Sequence, residues 1–121
     1  MKLVPQTDAG ADAALGRMTL DKQFHGDLEA VSKGQMLTGM TAVKESAGYV
    51  AIEKVSGTLH GRGGSFILQH TGTMTRGVPA LTISVVPDSG AGDLAGLAGT
   101  MAIIITGGTH AYDFTYTLPT P

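Results

Sequence analysis

The sequence predicts an all-β domain, an antiparallel meander of about seven or eight strands closed as a barrel or folded as a sandwich. Three observations carry that expectation. Apolar residues alternate with polar ones through most of the chain, and no segment sustains a 3.6-residue apolar period. Gly, at 18 of 121 residues, is spread among Thr- and Val-rich runs, as short strands with tight turns require. Clusters such as "KESAG" and "HGRGG" punctuate those runs as turns.

Composition narrows the class. A chain of 121 residues fits one domain, read as residues 14–121 after an irregular segment at 1–13. A net charge of −2 without a basic cluster argues against nucleic acid as a partner. The absence of Cys excludes disulfides, thiol catalysis and thiolate metal sites, and fits a cytoplasmic location. No stretch approaches the roughly 20 apolar residues of a membrane span, and the N-terminus has no apolar signal core.

The elements follow in order. Lys2–Pro5 forms a short strand. "LGRMTLDKQF" sets Met18, Leu20 and Phe24 on one face and Arg17, Asp21 and Gln23 on the other, with Lys22 breaking the pattern. "GDLEAVSKGQMLTGM" continues as strand, and a His25–Gly26 turn would set Lys22 opposite Glu29. A bulge at Gly26 would instead turn Glu29 inward. "GYVAIEKVSGTLHGRGGSFILQHTG" is a hairpin; with Gly61–Gly64 as its loop, Leu59 faces Phe66 and Val55 faces His70. "VPALTISVVP" alternates Leu81, Ile83 and Val85 against Thr82, Ser84 and Val86, with Pro79 and Pro87 as terminators. "DSGAGDLAGLAG" is a Gly-rich connection with one helical turn at Asp93–Leu97. In "TMAIIITGGTHAYDFTYTLP", a primed Gly107–Gly108 turn pairs Ile105 with His110, Ile103 with Tyr112 and Met101 with Phe114 on the core face. Ile104 then points outward and suggests a contact in a homo-oligomer.

Candidate chemistry sits on the inner face. Tyr49, Ala51, Glu53, Val55 and Leu59 share it with Phe66, Leu68 and His70, which makes Glu53 and His70 diagonal neighbours. Desolvation raises the acid's pKa and lowers the base's, and the pairing is expected to raise both, giving a general acid/base couple near neutral pH. The alternative is a satisfied polar pair that fixes strand register. Glu29, if inward, would be a second acid. Tyr49, Tyr112, Tyr116 and His110 offer polar tips in an apolar chamber, as recognition of a small lipophilic molecule with one or two oxygens requires. Phe66, Leu68, Ile83, Ile103 and Phe114 would supply its apolar walls. His25, His60, His70 and His110 lie on separate elements without ligand spacing, and no cofactor fingerprint occurs, so no metal or cofactor is expected.

The motifs "GDLEA", "GYVAIEKVSGTLHGRGGSFILQHTGTM", "VVPDSGAGDLAGLAGTM" and "YDFTYTLP" closely resemble a bacterial family, domain of unknown function 3224, from Leu15 to Leu118. That resemblance implies an eight-stranded allene oxide cyclase-like barrel with an internal cavity, in a superfamily that steers cyclisation or coupling of lipophilic molecules. "SGAGDLAGLAG" is similar to the Gly-rich loop of those barrels. The family pattern also has acids at the positions of Glu29 and Glu53, and "LQH" ending in His70. It usually reads "GTG" plus Glu where this chain has "GAGD", and often "GDLEG" where this chain has "GDLEA". The expectation is a small-molecule barrel with isomerase- or cyclase-like capability, or, without chemistry, a carrier, a sensor or a filled structural module.

Overall fold

The computed structural model describes residues 2–6, 15–106 and 109–118, and the alternating runs become strands of a single antiparallel sheet. In chain order these are β1 (Lys2–Gln6), β2 (Leu15–Phe24), β3 (Leu28–Met40), β4 (Ala47–Leu59), β5 (Arg62–Thr75), β6 (Val78–Val85), β7 (Ala91–Gly92), β8 (Ala98–Thr106) and β9 (Thr109–Thr117). The sheet runs β1-β2-β3-β4-β5-β6-β8-β9, and the short β7 pairs with β5 beside it. The described residues contain no helix, and therefore none long and apolar enough to cross a membrane. The Gly-rich connection folds as hydrogen-bonded turns, with Leu97 N–H donating to the Leu94 carbonyl, so the helical turn expected at Asp93–Leu97 does not extend into a helix.

Backbone pairing does not close the sheet: among the described residues no ladder joins β9 to β1 or β2. Side chains nevertheless cross that gap. The Tyr112 hydroxyl donates to the His25 carbonyl at 3.1 Å and accepts from Leu28 N–H at 3.3 Å. The Tyr112 ring meets Phe24 edge-on with centroids 5.7 Å apart. The sheet is thus coiled until its last strand lies against the β2–β3 turn, as strand twist accumulated over a long sheet allows.

Several registers match their sequence expectation. β8 and β9 pair Ile105 with His110, Ile103 with Tyr112 and Met101 with Phe114. Their Gly107–Gly108 turn, residues 7–14 and the side chains of Ile104 and His110 lie outside the described residues.

Other registers differ. β4 and β5 turn at His60–Gly61, pairing Leu59 with Arg62, Val55 with Phe66 and Ala51 with His70. Both turn residues have positive φ, 48° and 78°, the signature of a primed two-residue hairpin. His tolerates that left-handed region better than most residues, so the hairpin needs one Gly, and Gly63 and Gly64 stay in β5. Face assignment survives because the change is an even number of residues. β2 and β3 pair Lys22 with Ser32, not with Glu29; this change is odd, so Glu29 falls on the other face from Ser32. Pro79 does not end β6 but lies within it, paired with Met74; β8 bonds β6 only at Ile83 and Ser84, so the Pro lies beyond the segment that β8 pairs.

The core fills one end of the concave face. Val55, Leu59, Phe66 and Leu68 from the central hairpin pack with Leu28, Ile83 and Val85. Leu94 and Leu97, from the long connection after β6, close over them. Phe66 stacks on Phe114 across the interior with ring centroids 5.8 Å apart.

Candidate functional site

Four polar residues meet on the inner face midway along the strands. Glu53 on β4 is fully buried, at 0% exposure, and lies opposite Gly34 of β3 and Leu68 of β5. Gly is required at 34 by close approach: a Cβ there would collide with the Ile52 carbonyl oxygen and stand 2.6 Å from the Glu53 Cα. The space so kept lets β3 and β4 press together around the acid.

Every oxygen of the Glu53 carboxylate is engaged. Oε1 accepts from His70 Nε2 at 2.8 Å and from Lys22 Nζ at 3.2 Å. Oε2 accepts from Ser32 Oγ at 2.7 Å. An ionised carboxylate only accepts, so Nε2 of His70 carries the proton and Nδ1 is the ring's remaining basic atom. Burial, the largest single influence on Glu53, pushes its carboxyl up; the His70 hydrogen bond, the Lys22 charge and the Ser32 hydroxyl together outweigh it. The net direction is down. Glu53 is therefore held ionised, which corrects the expectation of a raised acid. That expectation gave the His70 pairing the wrong sign, since a donor beside a carboxylate favours its ionised form, and it left out the other two donors.

Lys22 and Ser32 were the residues sequence reasoning passed over. Both had a signal. Lys22 interrupts the apolar phase of Met18, Leu20 and Phe24 because it points the same way as they do, its side chain only 15% exposed. Ser32 falls in phase with Leu28 and Met36, and its place opposite Lys22 puts both beside Glu53.

Beyond this cluster the concave face is open. A cavity of about 830 Å³ is lined by Lys22 and His70 together with Leu20, Met36, Tyr49, Ala51, Leu81 and other mainly apolar side chains. Glu53 itself is covered, so Lys22 and His70 are the members of the cluster that meet the cavity. Tyr49 stands beside His70 with ring centroids 6.4 Å apart. Its ring lies over Gly72, directly opposite on β5, where any Cβ would strike it. Burial, and then the Glu53 charge, raise the Tyr49 phenol above its ordinary value, so it stays protonated and can donate.

The remaining candidates divide by position. Ile103 and Tyr112 line the cavity with Tyr49. Phe66, Leu68 and Ile83 are sealed in the packed end, each at 1% exposure or less. Phe114 stacks on Phe66 within that end, and the side chain of His110 is outside the described residues. Glu29 is not brought to Glu53. It faces outward, accepts from Gly26 N–H at 2.9 Å, and has His25 Nδ1 at 3.2 Å. The Gly26 hydrogen bond, then His25, lower its pKa. β2 and β3 pair Phe24 with Ala30, and Glu29 falls out of phase with the buried Leu28 and Ser32, so it points away from the inner face. Among the described residues no group of three or more His, Asp or Glu is arranged to hold a metal ion.

Comparison with known proteins agrees with this architecture. A family model described as a protein of unknown function, DUF3224, matches residues 2–116. A crystal structure of a DUF3224 family protein of unknown function from Shewanella oneidensis MR-1, at 1.84 Å resolution, is 55% identical. The match covers 99% of this chain and 92% of that one, with a TM-score of 0.93. No curated protein matches the chain. With most of its length matched by the family model and the sheet shared with a member, the chain belongs to the DUF3224 family.

Proposed function

We propose that the protein binds a small, mostly apolar, oxygen-bearing molecule in the open half of its concave face and moves a proton on it, as an isomerase- or cyclase-like enzyme would. The observation that carries this reading is the junction of an apolar cavity of about 830 Å³ with a His whose orientation is set by a fully buried carboxylate. Cavities of this size suit one small ligand held by a few polar groups. Glu53 bonded to Nε2 leaves Nδ1 as the base and stabilises the imidazolium that forms when it takes a proton. Glu29 has no part in this, since it lies on the outer surface. The fold that frames the site is, in this proposal, an allene oxide cyclase-like barrel whose last seam is joined by side chains; the Tyr112 contacts to the β2–β3 turn support it.

A second reading is a carrier or sensor that uses the same cavity without chemistry. It is favoured by the Glu53 cluster itself, whose complete hydrogen bonding is what a purely structural polar pair would also show.

Nile red titration tests the pocket: fluorescence should rise saturably with protein and fall when an apolar oxygenated competitor is added. Without displaceable binding, both readings fail. Glu53→Gln then separates them. Loss of turnover with binding retained supports the enzyme, whereas a ligand that binds but is never altered leaves the carrier.

A further inference from the structure

We infer that Lys22 is a catalytic residue, and that the substrate is an enolisable carbonyl compound whose carbonyl oxygen rests on the Lys22 ammonium. The inference depends on the proposed function and gives that same cavity its substrate class.

The argument begins with charge. Glu53 and Lys22 compensate one another, but they are not equally placed. The negative member is fully covered, while the positive member lines the cavity. A ligand therefore meets the donor side of the pair. Lys22 has three N–H donors and no acceptor, and the Glu53 contact at 3.2 Å engages one of them. Tyr49, whose phenol is protonated, lines the same cavity and adds a donor. In an apolar cavity this arrangement selects a ligand whose polar end is an accepting oxygen. A neutral carbonyl suits it better than a carboxylate, because the cluster already sums to zero and an added anion would be left uncompensated beside buried Glu53.

The same placement defines a reaction. His70 Nδ1 removes a proton from the carbon next to the carbonyl, and the C–H electron pair becomes the C=C bond of an enolate. The carbonyl π pair moves to oxygen, where the fixed Lys22 charge stabilises it; Glu53 stabilises the imidazolium. Return of that proton to the same or a conjugated carbon regenerates His70. No other reactant is consumed. A preorganised charge at the developing oxyanion contributes roughly 100- to 1000-fold in rate.

The test is exchange of the α-protons of 2-decanone in D2O, followed by proton NMR, beside its displacement of Nile red. Wild type should bind the ketone and exchange its α-protons well above the buffer rate. Lys22→Met should still bind it and exchange roughly 100-fold more slowly or worse. Lys22→Arg keeps the charge and the Glu53 contact in case the Met variant folds poorly, and should retain part of the rate. Binding without exchange above buffer, or exchange unaffected in Lys22→Met, would overturn this inference and leave the pocket standing. Failure of any probe to enter would overturn both.

Discussion

At one end of the concave face Val55, Leu59, Phe66 and Leu94 are each sealed to 1% exposure, while at the other the same strands turn Met36, Tyr49 and Leu81 toward an open cavity. Strand chemistry does not separate the two ends, since apolar residues alternate through both. What differs is coverage. The connection from Val86 to Leu97 folds back over the first end and inserts Leu94 and Leu97 into it. At the second end the described turns are short: Thr41–Ser46 between β3 and β4, and Arg76–Gly77 between β5 and β6. Two adjacent residues there, Arg76 and Gly77, both have positive φ, a hairpin too tight to reach inward. The Glu53 cluster marks the border between packed and open halves. Among the described residues, it is the connection carrying Leu94 and Leu97, rather than strand sequence, that distinguishes the packed half from the half that lines the cavity.

That contrast can be broken by substitution. Phe66→Ala should have the largest effect, lowering stability by about 3–5 kcal/mol through loss of a stacked, fully buried ring. Urea unfolding measures it, and the folded fraction should still bind Nile red. Equal disturbance of probe binding would mean that the halves are mechanically one.

Acid probes the border. Glu53 has a folded pKa below its ordinary value of about 4.5. Its contribution to stability is fully present above that unfolded value and is lost as the pH falls through the lower folded one. Urea midpoints taken from about pH 6 down to about pH 3 should fall more steeply for wild type than for Glu53→Gln. Parallel curves would show that the three donors do not outweigh burial.

The smallest change in stability is expected from Met36→Trp in the open half, within about 1 kcal/mol because the site has room and is not fully buried. Nile red affinity should nevertheless fall by roughly tenfold or more as the indole occupies the cavity. A large loss of stability with affinity unchanged would place the probe elsewhere.

Much of this molecule was open to reading from the chain, but unevenly. The pairing of Ile103 with Tyr112 and Met101 with Phe114 was readable because a Gly-Gly turn leaves little choice of register. Glu53 and His70 fall on one face as expected even though their hairpin turns at His60–Gly61 rather than through Gly61–Gly64, since the register change of four residues is even and preserves sidedness. Lys22 shows in the chain only as a break in an apolar phase, without its reason. A charged residue in an apolar phase makes sense only once its partner, 31 residues away on a strand that is not its neighbour, is known. Glu29 shows the converse: a motif acid turned outward by a turn that local sequence left ambiguous.

Alternation and turn chemistry by themselves determined that the chain is an antiparallel sheet and which side chains share its inner surface, because both rest on a backbone period of two and on local φ preferences. Only the tertiary structure decided how far the sheet coils, which end the long connection covers, and that Lys22 and Ser32 complete the Glu53 cluster. Those outcomes depend on contacts between strands distant in sequence, where packing and desolvation act on groups that no local pattern connects.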